Sequence, residues 1–218
     1  MKVTAIFATT ATGQFGVDGG LPWGRSAPDD LQFFKNMTMG NAMIMGYNTY
    51  PSVQHLQGRD KIVITSQGNN IFTTVAATYF VTSMDEAIKL AESLGHREAY
   101  IIGGAMVLRE NAHLADEILW SCIPGSYPAD IYLDVEKITK DRALVDSNVL
   151  PDGTKVHIFS GVNLSSVLNT KTALEEALDR EQKTTFGNIP IKESCEYTPD
   201  EAKPDALSIT KTMIRGQS

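Results

Sequence analysis

Between Gly19 and Lys35 the chain reads GGLPWGRSAPDDLQFFK, and Asp30 within it has the wrong chemistry for its position. At helical spacing from Asp30, Phe34 falls at i+4 and Met37 at i+7, with Leu31 and Phe33 flanking, so the carboxylate shares a face with large apolar side chains. A bare carboxylate there is costly unless something hydrogen-bonds it. From the helix alone, a plainer reading stands on equal footing: Asp30, like Asp29, only complements the positive end of the helix dipole. The preceding residues favour chemistry. Leu21-Pro22-Trp23-Gly24 sets an indole just ahead of the helix, and Gly13, Gly16, Gly19 and Gly20 make the segment before it glycine-rich. A mobile loop, an anchored Trp and an acid among aromatics point to a lidded pocket for a flat, partly polar ligand.

The elements that must position these residues follow from local pattern. Ser26 with Asp29 three residues on forms a capping box, and Pro28 fits a first turn, so a helix is expected from there. Strands are expected at Val3 to Ala8, Ala42 to Met45, Ile62 to Thr65, Tyr79 to Val81, Ala99 to Ile102 and Ile118 to Ile123. Helices are expected from Thr49, over Asp85 to Leu94 with Ser83 as cap, and over Ala105 to Leu114. Such alternation predicts an α/β fold with a mostly parallel central sheet, helices on both faces and ligands at the carboxyl ends of the strands. Two strand-to-helix junctions, Met45-Gly46-Tyr47-Asn48-Thr49 and Ile102-Gly103-Gly104-Ala105, remove side chains where backbone N–H groups could approach a pyrophosphate. On spacing alone a tight turn explains the paired glycines more simply. There is no G-x-G-x-x-G, so a Rossmann dehydrogenase is not supported.

Composition narrows the class. The 218 residues suffice for one substantial core and carry a net charge of -7, with no basic stripe of the kind nucleic acid requires. No run approaches the ~18 apolar residues of a membrane span, and Met1-Lys2-Val3 opens as a strand and not as a signal peptide. Cys122 and Cys195 show no framework spacing, so a reducing, cytoplasmic setting is the simplest expectation. His55, His96, His113 and His157 are scattered, read as surface or loop residues, and make no metal site.

Taken in order, Phe15-Gly16, Leu21-Pro22-Trp23, Asp30 through Lys35, Ile44-Met45-Gly46 with Thr49, Leu56-Gln57-Gly58-Arg59, Ile64-Thr65-Ser66, Ser83 through Ile88, Ile101 through Gly104 and Asp130 make the chain resemble the dihydrofolate reductases of phage and bacterial type. Several short motifs in sequence are more specific than any one. The resemblance implies reduction of dihydrofolate to tetrahydrofolate with NADPH, in the service of thymidylate and one-carbon metabolism, and sensitivity to antifolate ligands. It implies that Asp30 accepts hydrogen bonds from the pterin, that Trp23 holds a water beside it, and that Leu21 belongs to the catalytic loop. Ser121, where the family usually has Thr, would buttress the carboxylate. Ile6, Phe7, Leu31, Phe34 and Val53 would line the substrate cleft, with Arg59 and Lys35 at the glutamate tail. Ala8, Gly16, Gly46, Tyr47, Asn48, Thr49, Thr65, Ser66, Ile102, Gly103, Gly104, Ala105, Met106 and Val107 would meet the cofactor, and Asp130 would steady the loop. One departure stands out: Tyr47, Met106 and Thr82 occupy positions where members selecting NADPH carry cations, so NADH is also admitted as a cofactor.

The resemblance covers about residues 1–135 of an expected single domain. Beyond it, Glu193 to Tyr197 and Ala206 to Ile214 read as the closing antiparallel hairpin, and residues 138–190 as an atypical insertion holding a strand at Lys155 to Ser160. The insertion is a surface excursion or a contact for a second copy or for thymidylate synthase. Two other functions stay open at this level: an inactive structural or binding protein on the same fold, and a reductase of a related pterin or pyrimidine.

Overall fold

Alternating buried runs and short capped helices build a sheet whose central strands are hidden on both sides. The computed structural model describes residues 1–67 and 76–161. The strands are β1 (Lys2–Thr10), β2 (Gln14–Gly16), β3 (Ala42–Gly46), β4 (Asp60–Ile64), β5 (Thr78–Val81), β6 (Glu98–Gly103), β7 (Glu117–Ile123), β8 (Ile131–Tyr132), β9 (Ala143–Val149) and β10 (Lys155–Ser160). The helices are α1 (Pro28–Thr38), α2 (Tyr50–Val53), α3 (Met84–Ser93), α4 (Ala105–Asn111) and α5 (Val135–Thr139). Eight strands form one sheet in the order β5-β4-β3-β6-β1-β7-β10-β9, and β2 pairs with β8 apart from it. Every pairing from β5 to β7 is parallel; the last two strands run antiparallel. The α/β class, the mostly parallel sheet and the antiparallel end are those expected.

Period-two alternation divides the core. Ile6, Met43, Met45, Val63, Tyr100 and Leu119 cluster on one face, where Phe33, Phe34 and Met37 of α1 pack against them. Gly46 lies against Val107 of α4, which places α4 on the other face with Ile44. The four apolar-run residues Ala42 to Met45 are all fully buried, as a strand covered on both sides requires. The cap on α3 forms as expected, with Glu86 N donating to Ser83 Oγ at 3.2 Å and Gly95 beyond the helix at φ +85°.

Three expectations change. Among the described residues the sheet ends with β10 and β9, inside the stretch read as an insertion, because the Lys155 to Ser160 run pairs directly with β7; the segments 193–197 and 206–214, read as the closing hairpin, lie outside the described residues. Ser26 does not cap α1. Pro28 forces the residue before it, Ala27, out of helical conformation and into the cap position, and Ser26 Oγ donates instead to the Trp23 carbonyl at 2.7 Å. Finally, His157 is buried on β10 and stacks on Trp120; His96 lies in a loop as expected, paired with Asp60 at 2.7 Å.

Candidate active site

Asp30 is only 6 % exposed, and with Thr38 it is one of the two buried residues of α1. Burial pushes its carboxyl above the ordinary carboxylate range; a hydrogen bond with Ser121 of β7 opposes the shift and the nearby Asp152 carboxylate reinforces it. A carboxyl so placed holds a proton to higher pH than a solvated one and offers a directed acceptor once ionised. Its backbone N–H, with that of Asp29, donates to Asp152 Oδ2 at 3.4 and 3.0 Å respectively. Asp152 belongs to the β9–β10 turn, which the sequence reading passed over.

The loop ahead of α1 is anchored at several points. Trp23 is 3 % exposed among Ala8, Ala27, Ile123 and Tyr127, with its ring edge-on to Tyr127 at 6.2 Å. Its Nε1 finds no acceptor among the described residues, a buried donor free for a ligand or solvent. Gln14 ties β2 to the segment after β7: its Nε2 donates to the Tyr127 carbonyl and its Oε1 accepts from Tyr127 N at 3.1 Å. Asp130 accepts from Asp18 N at 3.1 Å, which fastens the glycine-rich tip. Gly13 sits at φ +80°, where a Cβ would stand 2.3 Å from the Leu133 carbonyl oxygen, so only glycine lets these segments meet. Leu21 remains 41 % exposed at the mouth.

Along α1 the cleft opens: Phe34 is half-buried, while Leu31 and Lys35 are exposed, with half-buried Val53 of α2 in the same apolar group as Phe34. Ile6 and Ala8 of β1 face this side. Phe7 does not; alternation turns its side chain to the opposite face, leaving only its backbone for the cleft. At the far end of α1 the Arg59 guanidinium is 7 % exposed and donates to Thr38 Oγ1 at 3.2 Å. Burial lowers its affinity for its proton, its Nε has no acceptor among the described residues, and no carboxylate there pairs with it. A buried cation in that condition suits an incoming anion.

The two glycine junctions come together at the carboxyl edge of the sheet. Met45 pairs with Gly103, and a Cβ on Gly46 would meet Val107 at 3.1 Å. Gly103 and Gly104 share a cis peptide bond; a Cβ on Gly104 would lie 3.0 Å from Thr49 Oγ1, and one on Gly103 3.6 Å from Phe15 of the loop. The paired glycines therefore leave a cradle of backbone and one hydroxyl that side chains would fill, a shape that fits a flat ring and a dinucleotide backbone. Ile102 and Ala105 are buried beneath it. Tyr47 N donates to the Ile64 carbonyl, placing exposed Tyr47 and Asn48 beside Thr65 and Ser66. Gly16 is buried in β2. Met106 is 66 % exposed, and Thr82 engages Glu86 through both its N–H and its hydroxyl at 2.8 Å, so the group bonded to Thr82 is an acid, with Lys89 of the same helix also acting on it.

A dihydrofolate reductase family model matches residues 2–147. Among curated relatives, the type 8 dihydrofolate reductase of Escherichia coli is 36% identical over 146 residues, 65% of this chain and 85% of that protein. The Bacillus subtilis dihydrofolate reductase is 31% identical over 129 residues, 59% of this chain and 73% of its own. Among solved structures, the Enterococcus faecalis dihydrofolate reductase complexed with NADP(H) and RAB-propyl superimposes with a TM-score of 0.60 at 23% identity, covering 73% of this chain and 95% of that one, a likeness of fold. With the family model spanning most of the sheet and both glycine junctions, the chain belongs to the dihydrofolate reductase family, the NADPH-dependent oxidoreductases that convert dihydrofolate to tetrahydrofolate.

Proposed function

We propose that dihydrofolate lies along α1, its pterin against Asp30 and its glutamate carboxylate at Arg59, with NADPH across the Gly46 and Gly103-Gly104 junctions. One observation carries this reading: the two buried residues of α1 are Asp30 and Thr38, and Thr38 accepts from Arg59, which has no carboxylate partner among the described residues. At 1.5 Å per residue they are about 12 Å apart. Opposite charges at that separation, joined by an apolar strip containing Phe34, match an elongated ligand with hydrogen-bond donors at one end and a carboxylate at the other.

Reduced nicotinamide, when bound, supplies the hydride that adds to C6 of the pterin. The chain's own residues do the rest. Asp30 accepts from the pterin N3 and 2-amino groups and favours the protonated ring electrostatically. The proton for N5 comes from water held near Trp23 Nε1 under the loop, and Leu21 with the anchored loop limits further solvent. Ser121 sets the Asp30 rotamer through its hydroxyl. Phe34, Leu31, Val53 and Ile6 sandwich the rings, and Lys35 adds a solvated charge near the tail. NADH is accepted as well, because nothing cationic stands at Tyr47, Met106 or Thr82.

The test is nicotinamide oxidation on adding dihydrofolate, with NADPH and NADH in parallel and Asp30→Asn as control. Turnover that depends on Asp30 supports the reading; folded protein with no turnover on either cofactor overturns it. Antifolate binding and a cytoplasmic location complete the proposal on the strength of the family; the part of residues 138–190 outside the sheet is read first as a surface excursion, with a contact for a second copy or thymidylate synthase as the alternative. No helix among the described residues is long and apolar enough to cross a membrane.

A further inference from the structure

We propose that Asp152, in the turn between β9 and β10, is a positioning residue for the reaction: it caps α1 from a distant element and thereby fixes where the Asp30 carboxyl stands. The proposal rests on the reading of Asp30 as the pterin-binding acid. α1 makes no side-chain cap of its own, and Pro28 at its start has no N–H. The next two first-turn donors, Asp29 N and Asp30 N, both go to Asp152 Oδ2, at 3.0 and 3.4 Å. The other oxygen, Oδ1, accepts from Thr154 N at 3.0 Å, so the carboxylate is held at both oxygens. The turn is itself closed, with Leu150 N donating to the Thr154 carbonyl at 2.8 Å and Gly153 N to the Leu150 carbonyl at 2.9 Å.

The same hairpin reaches Asp30 by a second route. β10 pairs with β7 so that Val156 faces Ser121, the residue whose hydroxyl engages the Asp30 side chain. Asp30 is therefore bracketed: its backbone by the hairpin turn and its side chain by the strand the hairpin covers. A cap donated by Ser26 would have held the helix to its own loop. A cap from Asp152 instead ties the acid to the β9–β10 hairpin, independently of the loop ahead of α1.

Charge adds a readout that a plain structural role lacks. Burial raises the Asp152 carboxyl, but hydrogen bonds from the backbone N–H groups of Thr154, Asp29 and Asp30 outweigh it, so it ionises more readily than a free Asp. The groups acting on the Asp30 carboxyl are the Ser121 hydroxyl from β7 and this carboxylate from the turn, with Asp29 preceding it on α1. Removing the Asp152 charge while keeping an acceptor oxygen therefore lets Asp30 lose its proton at lower pH.

The experiment is the pH profile of kcat and kcat/KM for the full chain with dihydrofolate and NADPH, comparing wild type, Asp152→Asn, Asp152→Ala and Asp30→Asn. Asp152→Asn keeps an acceptor for the two N–H groups; it is expected to retain kcat within about threefold but to move the Asp30-dependent ionisation to lower pH. Asp152→Ala loses the cap as well, and kcat is expected to fall roughly tenfold, in keeping with the cost of a small misplacement of a reacting group. Wild-type profiles in both variants, or a lowered melting temperature with kcat and profile unmoved, would overturn the proposal. If Asp152→Ala does not fold, the Asp152→Asn profile decides. An Asp30→Asn enzyme with an unchanged rate would instead remove the reading of Asp30 on which the proposal rests.

Discussion

The two halves of the cleft are built on opposite principles. Along α1 the proposed substrate side offers buried charge: a carboxyl raised by burial at one end and a guanidinium without an anionic partner at the other. Across the sheet edge the proposed cofactor side offers missing side chains, at Gly46, Gly103 and Gly104, with exposed Tyr47 and Met106 beside them. Buried charges are costly unless paired, so the α1 side is stabilised by a ligand that supplies the pairing. The glycine edge loses nothing when empty. Substrate contacts should therefore be few and individually strong, and cofactor contacts many and individually modest.

The sharpest way to break this contrast is at Asp30. Asp30→Asn keeps the volume and an acceptor oxygen but removes the negative charge, and turnover of dihydrofolate is expected to fall by about 10²- to 10³-fold, the scale of losing a preorganised electrostatic group. Steady-state kinetics checks it; a loss confined to a few-fold would make the α1 side no more charge-dependent than the glycine edge. Next in size is Arg59→Ala. Charge-assisted hydrogen bonds contribute about 1.5–3 kcal/mol, so KM for dihydrofolate should rise roughly 10- to 100-fold with kcat less affected. A pterin substrate lacking the glutamate tail should show no such change, and an equal penalty on both would detach Arg59 from the carboxylate.

On the cofactor side, Gly104→Ala sets a methyl group 3.0 Å from the Thr49 side-chain Oγ1, tighter than an ordinary van der Waals contact. Cofactor affinity, measured by fluorescence titration, should weaken about tenfold, roughly 1.4 kcal/mol. Adding Thr49→Ser removes only a methyl and leaves the hydroxyl, so the double variant should stay weak. Recovery there would mean that bulk at Thr49, and not the cradle itself, limits the fit.

What was legible in the chain follows the same division. Local signals worked where the cause was local: the buried run at β3, the Ser83 cap on α3, and Asp30 on an apolar face at i, i+4 and i+7. They failed where the partner came from far away. Ser26 has cap chemistry, yet Pro28 moves the cap position to Ala27 and the donors turn to Asp152, more than a hundred residues on. Nothing near Asp152 in sequence marks it. Gln14 is similar, an ordinary polar residue until the fold brings Tyr127 to it. That part of residues 138–190 belongs to the sheet was hidden because β9 is exposed along its whole length and so lacks the alternation that reveals a half-buried strand. Phe7 is expected in the substrate cleft beside Ile6, although the side chains of adjacent strand residues turn to opposite faces.

The smallest expected effect lies at the rim. The 2'-phosphate of NADPH is what separates it from NADH, and discrimination through it needs a cation. Around the junctions stand Tyr47, 49 % exposed, Met106, and Thr82 with Glu86 hydrogen-bonded to it. An exposed carboxylate there disfavours a phosphate and is well suited to a ribose hydroxyl. The ratio of kcat/KM values for NADPH and NADH should accordingly stay within about tenfold in the wild type, since an exposed ionic contact contributes on the order of 1 kcal/mol or less. Tyr47→Arg should then raise that ratio a few-fold through KM alone, an effect that shrinks at high salt. Glu86→Gln should move it the same way and by less, because it removes a repulsion without adding an attraction. A wild type that already prefers NADPH a hundredfold would show that charge reaches the phosphate from elsewhere, and the rim would then resemble the α1 side more than the glycine edge beside it.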